Sequence, residues 1–201
     1  SLEASGQLDN TLVIYLEGDN GASAEGTMHG TTSEVSAQFE PESIEYLVSM
    51  IDELGSEKTY NHYPIGWAHA MDTPFQWTKQ IASFFGGTRQ GMAISWPKKI
   101  KDVKGIRDQF HHVIDIVPTI LEAVHIKAPN IVEGIAQAPI EGFSMVYTFD
   151  KSGKEQPSNH KIQYFEMLGN RALYYDGWVA STVPTKAPWD LAGKSDPNVS
   201  D

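Results

Sequence analysis

Asp19 and Asn20 are the residues whose types and spacing speak most directly of chemistry. They sit on the turn Gly18-Asp19-Asn20-Gly21, just after the apolar run Thr11 to Leu16 (TLVIYL). A carboxylate beside an amide oxygen is a pair of hard donors, suited to Ca2+ or Mg2+ rather than to a soft metal. The flanking glycines let the backbone approach a bound ion closely. The same tetrapeptide is also good turn chemistry with no ligand at all, and two oxygens leave a calcium shell of about six to eight donors incomplete. Lys79 lies in Thr73-Pro74-Phe75-Gln76-Trp77-Thr78-Lys79-Gln80. Its ammonium is a compact point charge that could hold an anion, and its stem could equally pack on Trp77 at the surface. His62 and His69 share that segment, each able to titrate near neutrality or to bond a structural partner. His111, His112 and Asp115 form an HHxxD pattern. Helical spacing brings His111 and Asp115 to one face, for a metal pair or for a clamp at a helix end. No Ser-His-Asp set, P-loop or dinucleotide fingerprint is present.

The elements that must position these residues follow from periodicity. Thr11 to Leu16 reads as a strand buried on both faces, which puts Asp19 and Asn20 at its carboxyl end, where open α/β sheets bind ligands. Pro41 to Leu54 reads as a helix: Ile44, Leu47, Val48, Ile51 and Leu54 recur at helical spacing, and Gly55 stops it. Residues 59–91 show neither period and are rich in aromatics, which predicts an ordered loop system. Met92 to Trp96 reads as a second buried strand. Phe110 to Ala123 reads as a helix kinked or broken at Pro118. Lys161 to Leu168 and Arg171 to Thr182 read as strands, the latter turning at Asp176-Gly177. Strands alternating with helices indicate an α/β class, with a mainly parallel sheet and a late antiparallel element.

The bulk numbers narrow the classes. With 201 residues, 40% hydrophobic and 20% charged, the chain can build one sizeable core. Fifteen basic residues against 26 acidic ones leave a net charge of −11, which disfavours nucleic acid as a partner. There is no cysteine, so disulfides, thiolate metal sites and a cysteine nucleophile are excluded for these residues. No window approaches the roughly 20 apolar residues of a membrane span. The opening Ser1-Leu2-Glu3-Ala4-Ser5-Gly6, without an initiator Met or a leader pattern, reads as an interior cut and assigns no compartment.

Thr11 to Gly26 (TLVIYLEGDNGASAEG) and Asn61 to Gly91 (NHYPIGWAHAMDTPFQWTKQIASFFGGTRQG) resemble the type I sulfatases, specifically bacterial arylsulfatases of the alkaline phosphatase superfamily. Met92 to Lys98, Phe110 to Glu122 and Gly134 to Tyr147 extend the resemblance collinearly over nearly the whole chain. It implies a large α/β sandwich in which Asp19 and Asn20 ligate a divalent metal, usually Ca2+ with Mg2+ as the other option. It also implies that Lys79 binds the sulfate, with Trp67 and His69 as weaker candidates for the substrate pocket wall. The family's nucleophile is a formylglycine made in a CxPxR or SxPxR motif, which this sequence does not contain. The paired aspartates that complete the metal shell are missing too. Residues 1–201 are therefore expected to be part of a sulfatase catalytic domain, without its nucleophile-bearing upstream part or its C-terminal extension. Phe84 stands where the related ASHFGGTR stretch has histidine.

The activity implied is hydrolysis of a small sulfate ester, with this chain supplying part of the metal and sulfate site and inactive alone. Two alternatives stay open: a non-catalytic domain that binds only ligand or partner, and a phosphoesterase of the same superfamily. A chain cut from a large sandwich should also expose apolar surface and self-associate.

Overall fold

The computed structural model describes residues 1–18, 20–37, 39–40, 42–150 and 155–189. Asp19 and Pro41, both invoked above, lie outside the described residues. The chain divides into two compact units. One comprises residues 1–16, 92–163 and 174–179; the other comprises residues 17–91, 164–173 and the chain from 180 onward.

The TLVIYL run forms β1 (Val13–Glu17), paired with β2 (Gly91–Ser95) in a two-stranded sheet. Burial on both faces does not hold: Val13, Tyr15, Leu16 and Met92 are exposed. A two-stranded ribbon has no layer to cover each face, so its apolar side chains stay in solvent. Helices and strands alternate along the chain, but the sheets among the described residues have only two or three strands.

In the first unit, residues Val113–Asp115 form a 3-10 turn that leads into α5 (Ile116–Ala123). No kink at Pro118 is needed. The helix begins six residues later than its apolar pattern suggests, so Pro118 falls in the first turn, where a missing N–H costs nothing. The buried node here is Asp115, with no exposed surface. Its Oδ2 accepts from the His112 amide at 2.9 Å and its Oδ1 from the Phe143 amide at 2.7 Å. His160 Nδ1 pairs with the same carboxylate at 2.8 Å, and buried Thr119 bridges the Asp115 carbonyl (2.6 Å) and the Met145 amide (2.8 Å).

Three hairpins share one turn chemistry. β3 (Ile131–Val132) pairs with β4 (Ile135–Ala136) antiparallel across Glu133-Gly134. β5 (Ile162–Met167), β6 (Asn170–Tyr175) and β7 (Trp178–Ser181) pair in chain order across Leu168-Gly169 and Asp176-Gly177. Each two-residue turn has positive φ at both positions. That is the type I′ geometry whose twist matches antiparallel strands, so the late antiparallel element is present as expected.

In the second unit, α1 (Glu34–Ala37) is followed by α2 (Ile44–Ser49) and a 3-10 turn, Ile51–Glu53. Ser43 Oγ caps α2 by accepting from the Tyr46 amide at 3.2 Å. The 59–91 segment is not wholly irregular. It contains α3 (Ile65–Asp72) and the short α4 (Phe85–Thr88). The buried positions of α3 are Ile65, Ala68 and Asp72. A helical face made of one small and one acidic residue beside a single isoleucine leaves no hydrophobic period to read. Ala24, Ile65 and Ala68 form the buried cluster, with Ala22 and Trp189 packed on it.

Candidate functional site

The site grows from the loop that follows β1. Gly21 has φ +84°, and a β-carbon there would collide with the Gly86 carbonyl and press on the Lys79 amide. Only glycine permits this approach. Beside it, the Lys79 amide donates to the Ala22 carbonyl at 3.0 Å. The Ala22 amide in turn donates to the Asp72 carboxylate at 3.0 and 3.2 Å. Gly21 and Ala22, the WTK segment and the end of α3 are thus tied together, by a backbone bond to Lys79 and by the Asp72 carboxylate.

Lys79 is held at both levels. Its backbone lies between Trp77 (φ 66°) and Gln80 (φ 77°), two non-glycine residues in the left-handed region. Such conformations cost on the order of 1–3 kcal/mol each and persist only when the surroundings impose them. Its Nζ lies 2.8 Å from Glu25 Oε1, which also accepts from Gln80 Nε2 at 3.0 Å. Burial works against charge on Glu25, but the bonds from Lys79 and Gln80 and the Lys79 charge bring its carboxyl below the usual range. Burial pushes the Asp72 carboxyl up, opposed by the Ala22 amide and by His69.

His62 faces the same loop. Nδ1 lies 2.9 Å from the Tyr63 carbonyl, so it carries the proton, and Nε2 lies 2.7 Å from Ser23 Oγ. Tyr63 Oη accepts from the Ser23 amide at 3.1 Å. Burial, chiefly, raises the Tyr63 phenol above its ordinary value. Both side chains brace the loop through Ser23.

The residues read from sequence are therefore only partly gathered. Lys79 stands beside the loop that carries Asn20, whose side chain is exposed. Asp19 lies outside the described residues. His69 and Trp67 are exposed on α3, and neither has a described contact with Lys79. Trp67 instead lines an open apolar groove of about 580 Å3 with Ile44, Leu47, Val48 and Ile51. The HHxxD motif works as a helix-end clamp. His111 Nδ1 reaches Asp115 at 3.2 Å, and its Nε2 takes the Tyr147 hydroxyl at 3.1 Å. Glu25, Ser23 and Asp72 escaped sequence reading. The one available signal was Glu25 at the end of the GASAEG run, an acidic residue in a stretch otherwise too small and apolar to need one.

Asn20 offers a hard oxygen of the kind a Ca2+ or Mg2+ ion takes. Among the described residues, no group of three or more His, Asp or Glu side chains is placed to hold a metal. Donor type fits such an ion; donor number, from the described residues alone, gives part of a shell.

Comparison with known proteins bears on the family of the chain. The sulfatase family model matches residues 1–126. An uncharacterized sulfatase of the fission yeast Schizosaccharomyces pombe is 30% identical over an alignment covering 94% of this chain and 33% of the yeast protein. The chain thus spans about a third of the length of that relative. With more than half of its residues matched by the family model, the chain belongs to the sulfatase family.

Proposed function

We propose that this chain supplies part of the metal and sulfate site of an arylsulfatase, a hydrolase of sulfuric esters. The observation that carries the reading is the fixed ammonium of Lys79 beside the loop of Asn20, with strained backbone on both sides of it. An ammonium has three N–H donors. One is engaged by Glu25, and two remain for sulfate oxygens. Held in place beforehand, such a charge stabilises a transferring sulfuryl group without reorganising during reaction.

Asp19 and Asn20 would hold the divalent cation, which when bound acts as a Lewis acid on the ester oxygens. The formylglycine nucleophile belongs to a motif this sequence lacks, so the chain alone is expected to turn over no sulfate ester. In the whole protein, β1 and β2 would lie within the family's larger sandwich, which accounts for their uncovered apolar faces. A phosphoesterase reading draws on the same charges, but the GDNG and WTK contexts favour sulfate.

Calorimetric titration tests the reading. Ca2+ should bind the chain with Kd tighter than about 1 mM, the weak end of protein calcium sites, and Asp19→Ala should abolish it. Inorganic sulfate should bind the wild type and fail to bind Lys79→Ala. A cooperatively folding chain that binds neither ion would overturn the proposal.

A further inference from the structure

Glu25 is the least expected charge in this region. It is 8% exposed, and no lysine, arginine or histidine other than Lys79 and His62 is paired with it among the described residues. Its donors are unevenly spread. Lys79 and Gln80 both bond Oε1, while Oε2 is buried without a hydrogen-bond partner and lies 4.0 Å from His62 Nε2. His62 Nε2 is turned instead to Ser23 Oγ.

A carboxylate retained for stability alone gains most by distributing its donors over both oxygens, because a buried acceptor left unpaired costs about 1–3 kcal/mol. Here that cost is accepted, and both donors converge on the oxygen that faces Lys79. The lysine itself is only partly covered, with 36% of its side chain exposed. One side of the ammonium is thereby tethered to a buried anchor, and the other is open. Gln80 fixes the anchor from the adjacent residue, and the Lys79 amide is independently tied to Ala22.

From this geometry we infer that Glu25 is a positioning residue for Lys79: it holds the ammonium at a set point and direction, so that an incoming sulfate meets two ready donors. This rests on the proposed sulfate-binding role of Lys79. It assigns Glu25 no contact with substrate. The opposite role, an internal competitor that sulfate must displace, is the alternative the test must exclude.

The experiment uses the full chain as wild type, Glu25→Gln, Glu25→Asp and Lys79→Ala. Trace acetylation with acetic anhydride, read by mass spectrometry, reports how free each lysine is, with exposed Lys99 and Lys101 as internal references. Glu25→Gln keeps the side-chain shape but removes the charge that tethers Lys79. Labelling of Lys79 should rise at least threefold with the references unchanged, and Kd for inorganic sulfate should rise at least threefold. Glu25→Asp keeps the charge one methylene short and should restore sulfate affinity part of the way, which a purely structural role would not require. Unchanged labelling of Lys79 in Glu25→Gln would sink the inference, as would sulfate binding that becomes equal or tighter. If Glu25→Gln loses its cooperative thermal transition, Glu25→Asp carries the same two readouts with the same signs. Sulfate that neither binds the wild type nor protects Lys79 from acetylation would remove the sulfate reading itself, and the inference with it, whatever the labelling of Glu25→Gln shows.

Discussion

Two buried carboxylates, Glu25 and Asp115, show opposite uses of one residue type. Glu25 leaves an oxygen unpaired in order to aim a lysine. Asp115 loads both oxygens. Burial alone would push its carboxyl up, but bonds from His111, the His112 and Phe143 amides and His160 bring it down to about 2. The stability consequence has a definite sign. A carboxyl held below its unfolded value of about 3.9 stabilises the fold above that pH and loses the contribution as pH falls through its folded value. About 2 kcal/mol should therefore disappear between about pH 4 and pH 2. Urea unfolding across that range should show the loss, and Asp115→Asn should flatten it. The same substitution should cost about 1–3 kcal/mol at pH 7, because an amide NH2 replaces an acceptor oxygen and leaves a buried donor unpaired. Stability that is pH-independent from pH 4 to pH 2 in the wild type would refute the assignment.

At the scale of elements, the hairpins carry the clearest local rule. Type I′ turns need positive φ at both central residues, which asparagine and glycine tolerate and branched apolar residues do not. Asp176-Gly177 obeys the rule. Leu168-Gly169 violates it, with Leu168 at φ 52° and 74% exposed, so its side chain gains nothing from packing in return. Leu168→Asn should relieve that strain and stabilise the chain by about 1 kcal/mol, read as a higher Tm. A lower Tm would mean that Leu168 makes a contact that outweighs its backbone cost. The amphipathic α2 illustrates a different matter. Its start is set by the Ser43 cap, yet its apolar residues Ile44 and Val48, with Ile51 of the following 3-10 turn, face solvent along an open groove instead of a core.

Those exposed side chains matter for the whole molecule. Burying them against a second copy would remove apolar area from water, which favours association by roughly 25 cal/mol per Å2 before the costs of binding. A net charge of −11 opposes that association at long range, and salt screens the repulsion. Sedimentation velocity should accordingly show a weight-average coefficient that rises with protein concentration and rises further with added salt. Val48→Glu combined with Ile51→Glu should lower it. A coefficient that stays monomeric at every concentration and salt would show that the apolar groove is stable in water on its own.

Much of this chain was legible without coordinates because the signals were local. The β1 run, the start of α2, the β2 run and the Asp176-Gly177 turn each follow from neighbours within a few residues and form close to where the pattern puts them, whereas α2 ends at Ser49 and gives way to a 3-10 turn before the expected stop at Gly55. Family motifs carried Asn20 and Lys79 in the same way. Where local pattern failed, the cause was non-local. Pro118 signalled a break because the His112–Asp115 clamp that delays the start of α5 depends on Phe143 and His160, distant in sequence. The face of α3 was hidden because what it buries includes Asp72, whose partner is the Ala22 amide fifty residues away. The sequence by itself thus carried the family and drew attention to Lys79 and Asn20, since these lie in strings of adjacent residues. Only the tertiary structure decided that Glu25 anchors Lys79 and that HHxxD clamps a helix end, because a charge's partner is set by which distant backbone segments a glycine allows to meet.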